Sequence, residues 1–460
     1  MLGSSSWSQH HRQEHLGEVH LQADLSRPPP PPGVAGHLHH LHHNQIQQVH
    51  HQEVEIMSRL SCSSQPSIYL RQLLLTCAHY ICHSDFTAAH RIATILSTNS
   101  SPYGDSSERL IHSFTKALSL RLRLHLQPLP HTSATNICSN YSSNCHDQNN
   151  DVILQSSYLS LNQITPFIRF SQLTANQAIL EAIDQSNHLQ QQEDPHDIHI
   201  LDFDIMHGVQ WPPLMQAIAD RHPPPTLRIT ATGTNLNILR RTGDRLSKFA
   251  HSLGLRFRFF PLLLPQTNIN HTVDDIIDHL SAVLLLPNEI LAVNCVLYLH
   301  RLLIDRDKLC LLLRKIKAMK PTVVTLAEKE ANHNHPIFIS RFEEALNYYT
   351  AIFESLEATL PPNSRERMDV EQVWFGREIT DIVTAEGEKR RERHERFLSW
   401  EMMMRIAGFR NIALSPFALS QAKLLLRLHY PSEGYNLEVV NDSFFLGWQK
   451  QPLFSVSSWH

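Results

Sequence analysis

The chain has 460 residues, of which 42% are hydrophobic, so it can bury a sizeable core. Its 40 Lys and Arg residues face 44 Asp and Glu residues, and the formal net charge of −4 excludes the overall basic field of a typical nucleic-acid binder. The longest apolar stretch, residues 290–299, is too short to span a bilayer. Composition therefore predicts a soluble, intracellular protein with no membrane partner.

The cysteines form no CxxC pair and show no spacing typical of a disulfide framework. We therefore expect free thiols in a reducing compartment, with Cys295 and Cys310 buried. No metal site is predicted from them, because Cys138, Cys145 and His146 lack a fourth ligand. The seven cysteines are Cys62, Cys77, Cys82, Cys138, Cys145, Cys295 and Cys310.

Residues 1–65 are rich in His, Gln, Ser and Pro, with five consecutive prolines from Pro28 to Pro32. Such a segment buries too little apolar surface to offset its ordering entropy, so it is predicted to be disordered. The histidines between residues 37 and 51 offer metal ligands in principle, but a solvated polar tail is the favoured interpretation.

A leucine-rich helical region is predicted over residues 66–126, because apolar residues recur at intervals of three and four. A polar insert at 127–156 is predicted to be a loop. Three leucine triplets also match the LxxLL pattern that docks on coactivators, although core packing is favoured for such a common pattern. The triplets are Leu70, Leu73, Leu74; Leu299, Leu302, Leu303; and Leu309, Leu312, Leu313.

Residues 198–219 read as a buried strand, a sharp turn and a helix whose first turn holds Pro212 and Pro213. This is the opening of a doubly wound α/β sheet, where such folds bind nucleotides. In a methyltransferase-type loop starting from Asp202, however, the three glycine positions hold Asp204, Met206 and Gly208. Side chains at 204 and 206 would fill the space that a cofactor needs, so neither cofactor nor catalytic residue is predicted.

The carboxylates of Asp202 and Asp204 have two interpretations. They could bind a ribose or a basic partner at the point where the sheet reverses direction. The structural interpretation, in which they cap a helix N-terminus, is favoured because two of the three glycines are missing.

Strands and helices then alternate, with strands predicted at 227–230, 256–260, 289–294 and 322–326 and a helix at 242–253 that Gly254 ends. This rhythm predicts a Rossmann-like, methyltransferase-like parallel sheet with right-handed crossovers. A helix at 336–360 interrupts it, and we expect that helix to form an α-helical cap with the N-terminal helices. Its many aromatic residues offer a second interpretation, a groove for a partner.

Two charged regions of the sequence offer candidate phosphate or DNA contacts. Arg240, Arg241 and Arg245 follow the second strand, but solvated surface arginines are the favoured interpretation. Residues 386–396 mix basic and acidic side chains and are predicted to form a solvated, ion-paired helix face, with nuclear import or phosphate binding as the alternative.

The C-terminal segments 435–441, 444–448 and 454–459 are β-rich and predicted to form antiparallel edge strands. Gly447 and the Gln451-Pro452 turn indicate a hairpin that brings Trp448 and Trp459 to one region of the sheet. The final strand is predicted to be structural, because a large aromatic residue so near a chain end frays unless packing holds it.

Several blocks of this sequence, in the same order, resemble the GRAS family of plant transcriptional regulators, and most closely its Lateral suppressor group. The resemblance covers roughly residues 66–460. Ser458 departs from the family, which mostly has Ala there. The VHIID-like block is Ile198, His199, Ile200, Leu201 and Asp202; the PFYRE-like residues are Pro336, Tyr349, Phe353, Arg377 and Glu378; and the SAW-like residues are Trp448, Ser458 and Trp459.

This resemblance implies a single GRAS domain over residues 66–460, behind the tail. Its regions would be the leucine-rich region 66–126, the insert 127–156, a VHIID region 157–222, a second leucine-rich region and core 223–320, a PFYRE-like region 321–420 and a SAW-like region 421–460.

The function implied by the resemblance is nuclear regulation of transcription in plant development, promoting axillary meristem initiation and shoot branching. The implied partners are transcription factors, zinc-finger or GRAS proteins among them, with homo- or hetero-dimers formed through the leucine-rich helices and DNA reached directly or indirectly. Two alternatives remain: a sequence-specific DNA-binding factor, and a relic or active S-adenosylmethionine-dependent methyltransferase.

Overall fold

The computed structural model describes residues 66–126, 147–190, 197–264, 273–287 and 289–460. Apart from Pro66 these residues belong to one compact unit, residues 67–460. The predicted disordered tail, its histidines, Cys62, Cys138 and Cys145 lie outside the described residues. Within the described residues, none of the helices is both long and apolar enough to cross a membrane.

Fourteen α-helices and nine strands are present in the described part of the chain, together with 3-10 turns at Leu299–Leu302 and Gly387–Lys389 and a π-helical turn at Val370–Phe375. The helices are α1 Pro66–Cys82, α2 Phe86–Thr98, α3 Ser106–Leu126, α4 Asp147–Ile164, α5 Pro166–Gln190, α6 Trp211–Ala219, α7 Leu236–Ser252, α8 Val273–Ser281, α9 Arg306–Ala318, α10 Phe338–Thr359, α11 Arg365–Asp369, α12 Gly376–Thr384, α13 Phe397–Ile406 and α14 Pro416–His429. The strands are β1 Asp197–Asp202, β2 Leu227–Gly233, β3 Phe257–Leu263, β4 Glu289–Val296, β5 Val323–Lys329, β6 Asn411–Ile412, β7 Tyr435–Val440, β8 Ser443–Trp448 and β9 Gln451–Trp459.

The strands form one sheet in the order β3-β2-β1-β4-β5-β9-β8-β7, with β6 also paired to β9. The first five strands are mutually parallel, and β9, β8 and β7 continue the sheet in antiparallel fashion. The direction in which successive strands are added to the sheet reverses at β1. Strands β2 and β3 lie on one side of it, and β4 and β5 lie on the other. The predicted doubly wound sheet with antiparallel C-terminal edge strands is therefore confirmed.

Alternation along the strands supplies an apolar core on each face of the sheet. Ile200 and Ile229, which are opposite each other in register, pack on one face against α5, α6 and α7. Leu201 and Val293 point to the other face, where α8, α9 and α13 pack. Helices on both faces explain why the strands read as nearly continuous apolar runs.

The helical cap is formed by the N-terminal helices with α10, as predicted, and α12 also packs against it. Helix α3 packs against α2, α10 and α12, and the Phe114 and Phe342 rings meet edge to face at 5.4 Å. The aromatic residues of α10 are buried, so the partner-groove interpretation of this helix is wrong. They are Phe338, Phe342, Tyr348, Tyr349 and Phe353.

The two largest differences from the predicted boundaries are at the starts of helices α7 and α4. Helix α7 begins at Leu236, six residues before the predicted start, because the Asn235 side chain caps it by accepting from the amides of Asn237 and Ile238. Helix α4 begins at Asp147, inside the predicted loop at 127–156. Its polar residues mask the helical pattern, since only one side of α4 packs against the protein.

Candidate functional site

The carboxyl ends of β1 and β4 meet at the reversal of strand order, and Asp202 lies at their centre. Its buried carboxylate accepts hydrogen bonds from Trp211 Nε1 at 2.8 Å and Asn294 Nδ2 at 2.7 Å. Gln210 extends the network to Asn294 at 3.0 Å. The structural interpretation of Asp202 therefore needs one correction: its partners are side chains, not the backbone amides of a helix N-terminus.

The turn after β1 keeps one of the three glycines of a methyltransferase-type loop. Residues Asp204, Met206 and Gly208 all have positive φ angles, of 61°, 49° and 63°. A Cβ at Gly208 would lie 2.8 Å from the Thr242 side chain, so glycine is required there. At 204 and 206 the strained conformation is held by neighbouring contacts.

Those contacts tie the turn to the rest of the domain. The Asp204 carboxylate pairs with Arg301 at 2.7 Å, and its amide donates to Thr232 Oγ1 at 2.9 Å. Arg245 donates to the carbonyl of His207 at 2.8 Å. The side chain at 204 thus occupies the turn with an ion pair, where a cofactor loop would leave bare backbone.

Aromatic residues cover the crevice where a nucleotide would lie. Tyr158 of α4 stacks on His207 at 5.8 Å and contacts Trp374 at 5.5 Å, and Phe203 stacks on Tyr298 at 5.7 Å. A cavity of about 20 Å³ next to Trp374 is lined by His300, Arg301 and Glu392 among others. A typical small-molecule site needs about 300 Å³ or more, so this cavity is too small for a cofactor.

Burial raises the pKa of Asp202 to about 7, with the facing Asp204 adding to the effect and the two side-chain donors opposing it. A carboxyl whose pKa is higher in the folded chain contributes stability at low pH that is lost as the pH rises through that pKa. We expect urea unfolding to show wild type losing about 2 kcal/mol relative to Asp202→Asn between pH 5 and 7.5. The exposed Asp220→Asn is the matched control, and parallel pH profiles for wild type and Asp202→Asn would contradict the expectation.

The rest of the VHIID-like block is structural. Ile198, Ile200 and Leu201 are buried in the two apolar cores. His199 is fully buried, with Nε2 2.9 Å from Thr230 Oγ1 and Nδ1 2.9 Å from the Arg228 guanidinium. Burial, reinforced by Arg228, lowers the pKa of His199 to about 3, so this histidine is neutral.

A second polar group, here called the buried histidine cluster, consists of His300, His333, His394, Glu328 and Glu392. His300 follows β4, Glu328 is in β5, and Glu392 and His394 belong to an extended segment before α13. The Nδ1 atom of His300 lies 2.7 Å from a Glu328 oxygen, and the His300 and His394 rings stack at 4.2 Å. The Nδ1 atoms of His333 and His394 are 3.0 Å apart.

The electrostatics of this cluster are divided between its histidines. Burial alone would lower the pKa of His300, but the Glu328 and Glu392 carboxylates outweigh burial and raise it. Burial lowers the pKa of His394 and of His333 well below the ordinary value, with neighbouring cations adding to the effect. His300 is thus the member of the cluster that its surroundings favour as a cation.

The charged segment 386–396 is not the predicted solvated helix face. Beyond a short 3-10 turn it is extended, and five of its eleven residues are buried: Arg390, Glu392, Arg393, His394 and Glu395. Each buried charge has partners from distant elements; for example, Glu395 bonds Asn334 at 2.7 Å and Arg306 at 2.5 Å. Such pairing offsets the free-energy cost of burying a charged side chain. The partner residues are too far away in the sequence to form a local pattern with the segment.

The structure brings together two of the five PFYRE-like residues. Tyr349 donates to a Glu378 oxygen at 2.7 Å, and Lys329 pairs with the same carboxylate at 2.5 Å. Phe353 is buried nearby in α10. Pro336 and Arg377 are exposed, with the Arg377 guanidinium above the Trp374 ring at 5.5 Å.

The SAW-like tryptophans lie in the predicted β8–β9 hairpin, but at opposite ends of it. Trp448 is opposite Gln451 beside the turn, whereas Trp459 is opposite Val324 of β5. The expectation that they share one region of the sheet is therefore wrong. Ser458 Oγ donates to the Ile412 carbonyl at 2.9 Å, so serine is readily accommodated where the family mostly has Ala.

The leucine triplets of the LxxLL patterns are buried and belong to the core. This holds for Leu70, Leu73, Leu74, Leu299, Leu302, Leu303, Leu309, Leu312 and Leu313. Cys295 and Cys310 are buried free thiols, as predicted. Arg240 and Arg241 are exposed on α7, but Arg245 is held to the turn after β1 by its bond to His207.

Comparisons with known proteins agree on one family. The model of the GRAS domain family matches residues 70–460. Scarecrow-like protein 18 of Arabidopsis thaliana is 50% identical, covering 85% of this chain and 91% of that protein. Protein MONOCULM 1 of Oryza sativa subsp. japonica is 43% identical, covering 85% and 88%. The crystal structure of SCL7 in Oryza sativa superposes with a TM-score of 0.67 at 34% identity, covering 85% of this chain and 99% of that one.

Proposed function

This chain belongs to the GRAS domain family of plant developmental transcription regulators, and we propose that it acts in the nucleus, mainly through contacts with DNA-binding proteins. The observation that carries the proposal is the family match, which spans residues 70–460 and so nearly all of the described fold. Zinc-finger proteins and other GRAS proteins are the partners we favour.

The closed crevice supports a regulatory role over a catalytic one. Asp202 is engaged by Trp211 and Asn294, and the ion pair of Asp204 fills the turn that would hold a cofactor. The methyltransferase alternative would require these contacts and the aromatic cover to open together. We therefore propose a function without a cofactor at this site.

Exposed apolar side chains support protein contacts. Phe417, Leu424 and Leu428 recur at intervals of seven and four along α14, so they share one face of that helix, and all three are exposed. Clustered apolar surface of this kind commonly marks protein-interaction sites. Because the leucines of the LxxLL patterns are buried, exposed faces such as this one are better candidates for association.

Within plant development, we propose a role in axillary meristem initiation and shoot branching. Its support is the similarity to Protein MONOCULM 1 and the resemblance of the C-terminal blocks to the Lateral suppressor group.

Direct DNA binding is the second candidate, and one observation favours it. Helix α7 exposes Arg240, Arg241 and Lys248, and β3 beside it exposes Arg258. Exposed cations on adjacent elements are suited to phosphate contacts. The carboxylate of Asp244 on the same helix face reduces the positive charge of this surface. The sequence also contains no recognised DNA-reading motif.

The proposal is tested by tethering. The full chain is fused to an unrelated DNA-binding domain and a reporter gene carrying that domain's site is measured in plant cells. We expect reporter transcription to change several-fold relative to the DNA-binding domain alone, because the chain supplies the regulatory contacts. The double variant Arg240→Glu/Arg241→Glu should behave like wild type when tethered.

Selection of random duplex DNA by the purified, untethered chain separates the two candidates. No enriched motif is expected. An enriched motif that is lost in Arg240→Glu/Arg241→Glu but kept in the control Lys423→Glu/Arg427→Glu, which changes the same charge on α14, would establish direct DNA binding. A tethered chain that leaves the reporter unchanged would refute the regulatory proposal itself.

A further inference from the structure

We propose that His300, Glu392 and His394 of the buried histidine cluster form a binding site for one Zn²⁺ ion, which fastens the extended segment before α13 to the sheet. One ligand atom of each residue lies within 4.8 Å of the other two, and all three residues are buried. Two imidazoles and one carboxylate are a ligand set that zinc accepts in proteins.

The distances suit coordination better than hydrogen bonding. The Glu392 carboxylate oxygen lies 3.4 Å from His300 Nε2 and 3.3 Å from His394 Nε2. Ligands at about 2.0–2.1 Å from a tetrahedral zinc ion are about 3.3 Å from one another. Both separations are longer than a good N–H···O bond, and neither Nε2 atom has a hydrogen-bond partner although the two residues are only 2% and 0% exposed.

The contacts behind the ligands bear on which nitrogen of each imidazole is free to bind zinc. His300 Nδ1 lies 2.7 Å from Glu328, and donation to that carboxylate leaves a lone pair on Nε2. His394 Nδ1 lies 3.0 Å from His333 Nδ1, and donation from His394 to that nitrogen would leave a lone pair on Nε2 of His394. Imidazole ligands of zinc commonly donate their second nitrogen to a carboxylate or similar acceptor, which sets the tautomer.

The surrounding charges favour a divalent cation. Asp204 neutralises Arg301 at 2.7 Å, and Glu378 neutralises Lys329 at 2.5 Å. Glu328 and Glu392 then place two further carboxylates against the histidine rings. Buried carboxylates require compensation, and one Zn²⁺ ion supplies two positive charges. The alternative is that a proton compensates the carboxylates, which would make His300 an imidazolium cation between Glu328 and Glu392.

The fourth coordination position has a place for water. The cavity of about 20 Å³ is lined by His300, Glu392, Arg301 and Lys329 among others. A water molecule needs about 10–15 Å³ of such space and several polar partners, and both conditions are met. The site would thus hold zinc through three side chains and one water molecule.

The test measures zinc in the full chain, purified without metal-affinity steps, loaded with Zn²⁺ and desalted. We expect wild type to retain one more equivalent of zinc than Glu392→Gln/His394→Gln, and added Zn²⁺ to raise the Tm of wild type but not that of the double variant. His199→Gln, which changes a buried histidine outside the cluster, is the control and should match wild type. The histidines of residues 1–65 are present in all three proteins, so any zinc that they bind does not change the difference in retained zinc.

Equal zinc retention by wild type and the double variant would overturn the proposal and leave His300 as the imidazolium. If the double variant does not fold, X-ray absorption on wild type with half an equivalent of Zn²⁺ decides. A zinc coordination shell of two imidazole nitrogens with carboxylate or water oxygens, all about 2.0–2.1 Å from the zinc ion, would support the site. A shell of imidazoles alone would assign the zinc to other histidines and refute it.

Discussion

Deletion of residues 454–460 is expected to leave a chain that does not reach its native fold. These residues form most of β9, which lies between β5 and β8 and also pairs with β6, so their loss separates the parallel half of the sheet from β8 and β7. Trp459 is 0% exposed, and truncating a buried tryptophan alone costs about 3–5 kcal/mol. That is a large share of the roughly 5–15 kcal/mol that stabilises a typical domain.

Soluble yield and far-UV circular dichroism measure this outcome. The truncated protein should be found in aggregates and should lose all partner binding together, whereas Phe417→Ala, which removes an exposed aromatic residue, should melt like wild type. A truncated chain that melts normally and loses a single partner would instead make the last strand a docking segment.

Leu74→Glu is expected to abolish the cooperative melting of the domain. Leu74 is 0% exposed in α1, so the substitution buries an unpaired carboxylate. Ile68→Glu places the same side chain on the same helix at a position that is 62% exposed, and its effect should stay within about 0.5 kcal/mol. Thermal melts followed at 222 nm compare the two variants.

This pair also decides how the first leucine-rich helix is used. If Leu74→Glu melts like wild type but no longer associates, Leu70, Leu73 and Leu74 would be a docking surface after all. The burial of all three within one chain leads us to expect the opposite result, unfolding with no selective loss of association.

The sequence was sufficient for the features that rest on local patterns. The run Ile198 to Phe203, Gly208 and the Pro212-Pro213 pair predict a strand, a turn and a helix, and β1, the turn and α6 follow in that order. Apolar runs of five to eight residues mark buried parallel strands, because both faces of such strands are covered.

The candidate site depends on contacts between distant residues, and there the sequence was insufficient. His300 and Glu392 are separated by 92 positions, and no local pattern in the sequence places the two side chains next to each other. Residues 386–396 look solvated because their charge content is high, yet Arg306 and Asn334 provide the compensation that permits burial. The helix predicted at 242–253 starts six residues later than α7 does, because Asn235 does not stand out in the sequence as the residue that caps it.

The place of β9 in the sheet has a consequence for biosynthesis. Strand β5 ends at Lys329, but its antiparallel neighbour begins at Gln451, so the ribosome adds about 120 residues between the two. At about 5–20 residues per second, the outer edge of β5 stays unpaired for roughly 6–24 s in every nascent chain. The sheet is completed only after Trp459 has been synthesised, and until then this hydrogen-bonding edge is open to neighbouring polypeptides on the same polysome.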